Sequence, residues 1–119
     1  MSFRRPASDL GLKRTVHTSW NGKQIHFRSS YEFEYAKKLD KKRIDYEVET
    51  LRIIYWDTQQ QKHRYAVPDF YLPSLNMIVE VKGQFFYNRQ EMIDKFKVYK
   101  KLGYNCKMIL DGWEVKLPA

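Results

Sequence analysis

The chain has 119 residues, and 22 Lys and Arg against 14 Asp and Glu give a net charge of +8, which excludes an acidic or neutral carrier and points to a polyanionic partner. Hydrophobic residues make up 43% and aromatics 16%, too much core-forming material for a disordered basic tail. A domain of this size buries roughly two thirds of its unfolded surface, so one core is expected over residues 15–119. Cys106 is the sole cysteine, which leaves no internal disulfide and no cysteine-rich zinc cluster.

Residues 1–14 show no hydrophobic period, contain Pro6 and Gly11, and carry Arg4, Arg5, Lys13 and Arg14; a flexible basic arm is expected. TVHTSW and KQIHF flank Asn21-Gly22, a dipeptide favoured in two-residue turns because both positions tolerate positive φ, and predict an N-terminal β-hairpin. Ser29 stands three residues before Glu32, the spacing of a capping box, and YEFEYAKKLDKKR holds no Pro or Gly, so a helix is predicted from about Ser30 to Lys42. Within it Glu34 is expected to pair with Lys38. Ile44, Tyr46 and Val48 then alternate with Asp45, Glu47 and Glu49 as an ordinary half-solvated strand. LRIIYW, the polar turn DTQQQK and HRYAV follow as further strands of the sheet. Pro68 suits a strand end, and FYL, the turn PSLN and MIVEVK form another pair. In NRQEMIDKFKVYKKL, Met92, Ile93, Phe96, Tyr99 and Leu102 share one helix face, with Gly103 as the residue after the cap. YNCKMIL reads as the last strand, before Asp111-Gly112 and a short tail. The order predicts an α/β or α+β domain with a mixed central sheet flanked by helices.

Basic clusters recur at residues 37–43 and 95–101 with aromatics between them, and nucleic acid is the economical partner. The alternative is a surface kept soluble by its lysines. Candidate DNA-backbone contacts are Arg4, Arg5, Lys13, Arg14, Arg28, Lys95, Lys97, Lys100 and Lys101. Phe85, Phe86, Tyr87 and Trp56 offer stacking faces for unpaired bases, although aromatics after a buried-type strand are expected in the core. No run approaches the roughly 18 apolar residues of a membrane span, and the first residues lack the apolar stretch of a signal peptide, so a soluble cytoplasmic protein is expected. His17, His26 and His63 have no neighbouring Cys or Asp cluster and are not expected to bind zinc.

The informative segment is Pro68-Asp69, ten residues, then Glu80-Val81-Lys82. Side chains alternate along a strand, so Glu80 and Lys82 point the same way. With Asp69 at the end of the preceding strand, two carboxylates converge near one amine, a site for a hard cation. Asp69, Glu80 and the Val81 backbone carbonyl supply oxygen ligands for Mg²⁺, and Lys82 can hold an attacking water or stabilise charge on a phosphoryl oxygen. Taken singly, Asp69 suits a turn and Glu80 with Lys82 an exposed ion pair; the apolar setting and joint spacing favour the site.

These residues resemble the PD-(D/E)xK nuclease superfamily, whose name describes Pro68-Asp69 and Glu80-Val81-Lys82. FRSSYE upstream, HRYAVPDFYL around the Asp and VKG after the Glu extend the likeness over roughly residues 23–110, nearest to phage endonuclease I-type Holliday-junction resolvases and related phage and transposon-end-cleaving endonucleases. The resemblance implies a restriction-endonuclease-like core and a Mg²⁺-dependent DNA endonuclease, with Mn²⁺ able to substitute. It also implies that Glu32 joins Asp69, Glu80 and Lys82 as a catalytic, metal- or water-positioning acid, alongside its capping role. Branched DNA is the leading substrate, and a site-specific or nicking endonuclease of phage or mobile-element type is the near alternative. One active site per chain implies a homodimer. The alternative of another class is a non-catalytic DNA-binding or phage structural protein that keeps this core.

Overall fold

A computed structural model describes residues 15–117; the basic arm, with Arg4, Arg5, Lys13 and Arg14, lies outside them. The chain divides into two compact units, Met1–Asp45 and Tyr46–Ala119.

In the first unit, β1 (Thr15–Thr18) pairs antiparallel with β2 (Gln24–Phe27). The turn is longer than the two residues expected. The Gly22 N–H donates to the Ser19 carbonyl at 2.9 Å, and Gly22 alone takes positive φ, +87°, while Asn21 does not. Helix α1 (Ser30–Lys41) starts where the capping pattern predicts, with the Ser29 side chain accepting from the Glu32 N–H. It ends without glycine: Arg43 adopts φ +55°, and the Arg43 and Ile44 N–H groups donate to the Asp40 and Leu39 carbonyls, a Schellman closure. Asp40 ties the hairpin to this helix by accepting from the Trp20 N–H at 3.0 Å and bonding to His17. Glu34 pairs with Lys37 at 2.9 Å rather than with Lys38.

The second unit contains β3 (Glu47–Val48), β4 (Ile53–Asp57), β5 (Lys62–Ala66), β6 (Phe70–Leu72), β7 (Met77–Lys82), α2 (Arg89–Lys101), β8 (Asn105–Leu110) and β9 (Trp113–Val115). The sheet has the order β3-β6-β7-β8-β9, parallel between β7 and β8 and antiparallel elsewhere. It is the mixed central sheet of an α+β fold. The parallel step is made by α2, since a crossover needs a connection longer than a hairpin.

Three expectations are corrected here. Strands β4 and β5 do not resume the central sheet but form their own two-stranded sheet. Asp111-Gly112 is not the start of a tail: both residues take positive φ, +52° and +86°, the two-residue hairpin geometry, and β9 folds back on β8. Leu102 is exposed, because it is the C-cap of α2 and the helix ends before that position can turn inward.

The core gathers Ile53, Tyr55, Ala66, Ile78, Met92, Phe96, Tyr99 and Met108. Gly103, φ +99°, closes α2, with its N–H and that of Tyr104 bonded to the carbonyls of Lys100 and Tyr99. Among the described residues no helix is long and apolar enough to cross a membrane.

Candidate functional site: an acidic pair and a lysine at one end of the sheet

The hairpin β6–β7 sets the site. Its register pairs Phe70 with Val79, so Asp69, the residue before β6, falls beside Glu80. The turn that fixes this register is the short 3₁₀ segment Pro73–Leu75, closed by Asn76 at φ +47°.

Strand β7 is covered on both faces: Ile78, Val79, Glu80 and Val81 are all buried, and Glu80 is 1% exposed. The reading of Glu80 as part of an exposed ion pair is therefore excluded. Its partners are the Tyr99 hydroxyl, donating to Glu80 Oε2 at 2.8 Å, and the Asp69 N–H, donating to Oε1 at 3.4 Å. Asp69, also buried, is fixed in turn by the Val81 N–H, which donates to its Oδ2 at 2.7 Å. Lys82 Nζ stands 3.9 Å from the same Oδ2. Two acids and one amine thus meet within a stretch of paired backbone, Lys82 being the partly exposed member.

The electrostatics follow from that burial. Loss of water pushes the Glu80 carboxyl up to about 7, the Asp69 charge adds to the rise, and Lys95, Lys82 and the Tyr99 hydroxyl act against it. The Tyr99 phenol is raised as well, by burial first and then by Glu80. The two lysines do not offset burial and the Asp69 charge together.

The structure brings Asp69, Glu80 and Lys82 together. Glu32 belongs to the other unit, at the third position of α1, where its N–H is capped by Ser29. Among the described residues no group of three or more His, Cys, Asp or Glu is gathered to hold a metal ion. Lys95 departs from its expected role as a backbone grip: its side chain is 12% exposed and pairs with Glu91 at 3.3 Å, with its ammonium 5.6 Å from the centre of the Tyr55 ring. Lys97, Lys100, Lys101 and Arg28 are exposed.

Sequence reasoning missed three features. Tyr99 had a place as a core residue, but only packing of α2 on β7 reveals that its hydroxyl serves Glu80. Phe85 and Phe86, expected in the core, are 99% and 82% exposed, because the chain leaves β7 into a 3₁₀ turn, Gln84–Phe86, that projects them outward. Of that aromatic set, Tyr87 packs against the core, and Trp56 is exposed on β4. Asp111 accepts the Gln84 N–H at 2.9 Å and so shapes the same turn.

Comparison with protein-family models, with curated proteins and with solved structures finds no match to this chain.

Proposed function

We propose that this protein is a metal-dependent DNA endonuclease acting through Asp69, Glu80 and Lys82. The observation that carries this reading is the buried Asp69–Glu80 pair with the Lys82 ammonium 3.9 Å from Asp69. Burial disfavours charge on Glu80 first and the adjacent Asp69 charge adds to it, and the upward displacement of Glu80 means that Lys95 and Lys82 do not offset the two together. A divalent cation fits this deficit, and the donors are hard oxygens of the kind Mg²⁺ and Mn²⁺ select.

Asp69 and Glu80 would hold the ion, with the Val81 carbonyl as a further oxygen. When bound, such an ion lowers the pKa of its water and offsets charge on a phosphoryl oxygen. The chain's own groups do the rest. The Val81 N–H and the Tyr99 hydroxyl fix the two carboxylates so that they need not reorganise. Lys82, the member open to solvent, presents a cation to the phosphate and to the attacking water. Hydrolysis adds water across one P–O bond, leaving a phosphate monoester on one end and a hydroxyl on the other.

Branched DNA is the proposed substrate and the cytoplasm the proposed location. Because the described residues carry one such cluster, cutting both strands calls for two copies, and the working unit is proposed to be a homodimer.

Incubation with supercoiled plasmid, linear duplex and a four-way junction, with Mg²⁺ or with chelator, tests the reading. Metal-dependent cutting is expected, and Asp69→Ala or Lys82→Ala should reduce it by at least a hundredfold while DNA binding persists. Cutting confined to the junction supports resolution, and a defined nick in duplex supports the site-specific alternative. Binding without cutting under every condition, or full cutting by both variants, would reject the proposed site.

A further inference from the structure

The end of the sheet that holds the acidic pair also collects large aromatic side chains in water. Phe85 and Phe86 follow Lys82 by three and four residues, and Trp113, 77% exposed, is the third. The register explains the third: Lys82 is paired with Leu110 on β8, and Leu110 with Trp113 on β9. Lys82 and Trp113 thus occupy one row across the sheet, two strand spacings or about 10 Å apart.

The exposed rings are held outward. The Gln84 N–H donates to Asp111 Oδ1 and the Asp111 N–H donates to the Lys82 carbonyl, each at 2.9 Å. The Phe86 N–H is taken by the Gly83 carbonyl and the Tyr87 N–H by that of Gln84, and Tyr87 packs on the core just beyond. These bonds fix the backbone that carries the two phenyl rings at the surface. Each ring then leaves on the order of 150–250 Å² of apolar surface without a partner, at most about 11 Å of chain from Lys82 for Phe85 and about 14 Å for Phe86.

That reach corresponds to roughly three to four nucleotides at the 3.4 Å rise of a stacked strand. Aromatic faces beside the Lys82 ammonium, which presents a cation to phosphate, supply the two components of single-strand recognition, one for bases and one for the backbone. The charge of the chain, +8, complements a polyanion, whereas a second copy would bring like charge to this surface. We infer that Phe85 and Phe86, with Trp113 beside them, stack on unpaired bases next to the phosphate held at Asp69, Glu80 and Lys82, so that the substrate is DNA with unpaired nucleotides at the cut rather than continuous duplex. This rests on the nuclease reading of that cluster.

The test separates the two. In chelator, wild-type protein is titrated onto a gapped duplex carrying 2-aminopurine in its unpaired stretch and onto the matching continuous duplex. Wild type should quench the probe in the gap, and Phe85→Ala/Phe86→Ala should abolish the quenching and weaken gapped-DNA binding about tenfold or more, with binding to continuous duplex unchanged. Trp113→Ala should give a smaller loss. Equal binding by wild type and double variant, or an equal loss on both DNAs, would overturn the inference. So would unaltered quenching accompanied by dissociation of a wild-type dimer, which would assign the rings to self-association. Adding Mg²⁺ or Mn²⁺ then reads the chemistry by itself: quenching without cleavage upholds the stacking surface and removes the nuclease assignment.

Discussion

Burying one carboxylate against another is costly, and Glu80 shows how the chain manages it: two hydrogen-bond donors and two nearby amines hold a group that burial and Asp69 push up to about 7. The consequence for stability has a definite sign. Between the ordinary value of 4.5 and about 7 the folded chain keeps a proton that the unfolded chain has lost, so folding stability falls as pH rises through this window. For metal-free protein the loss approaches ~3 kcal/mol by pH 8. Glu80→Gln, which cannot ionise, should be spared it. Thermal melts in chelator at pH 5 and pH 8 should show the wild type losing more than the variant, and parallel losses would contradict the buried-acid picture. Tyr99→Phe belongs to the same residue-level account. Removing the hydroxyl leaves Glu80 Oε2 short of its donor, at about 1.5–3 kcal/mol when the acid is charged. Urea unfolding should therefore find a larger penalty at pH 8 than at pH 5.

Among the elements, α2 does more than cross from β7 to β8. Its buried Asp94 accepts from the Thr58 N–H and hydroxyl at 2.9 and 2.8 Å and from Gln90 at 2.9 Å, which pins the β4–β5 turn to the helix. Within that turn, Asp57 accepts the Gln59 and Gln60 N–H groups and Arg64. Burial raises the Asp94 carboxyl, but the Thr58 and Gln90 bonds outweigh it and the net displacement is downward. The stability these bonds give is present above the ordinary value of 3.8 and lost as pH falls through the lower folded value. Asp94→Ala should cost about 2–3 kcal/mol at neutral pH and should lose less than wild type on acidification, both measurable by denaturant unfolding. Equal stability at pH 7 would mean that the pin carries nothing. The same elements show what sequence makes legible. Both helices were readable because Ser29 and Gly103 are local punctuation, acting within a few residues of themselves. The independence of β4–β5 was not, because alternation reveals a strand but not its partner. Strand β9 is three residues long, too short for a period, and only the paired positive φ values of Asp111 and Gly112 betray it. The cluster at Asp69, Glu80 and Lys82 was legible because a hairpin register converts spacing into proximity. The Tyr99 hydroxyl and the outward Phe85 and Phe86 depend on packing and on a clamped turn, which no spacing encodes.

At the scale of the whole molecule the excess of basic charge is the property that spacing arguments leave unassigned, and the salt dependence of DNA binding assigns it. If the lysines only keep the surface hydrated, affinity for DNA is weak and nearly flat in salt. If they neutralise phosphates, each contact releases counterions and contributes a slope of about −0.9 in log K against log salt. Lys97, Lys100 and Lys101 are exposed and spaced to share the outer side of α2, while Lys95 is turned inward against Glu91. Replacing the three exposed lysines by Gln should therefore flatten the slope by about one per side chain lost from the interface, without altering the melting temperature by more than a degree or two. Lys95→Gln should behave in the opposite way. It leaves the salt slope alone but removes a cation that opposes the rise of Glu80, so the loss of stability should still begin near the ordinary value but level off at a higher pH. A steep slope that all four substitutions leave unchanged would place the DNA on another surface and detach α2 from binding altogether.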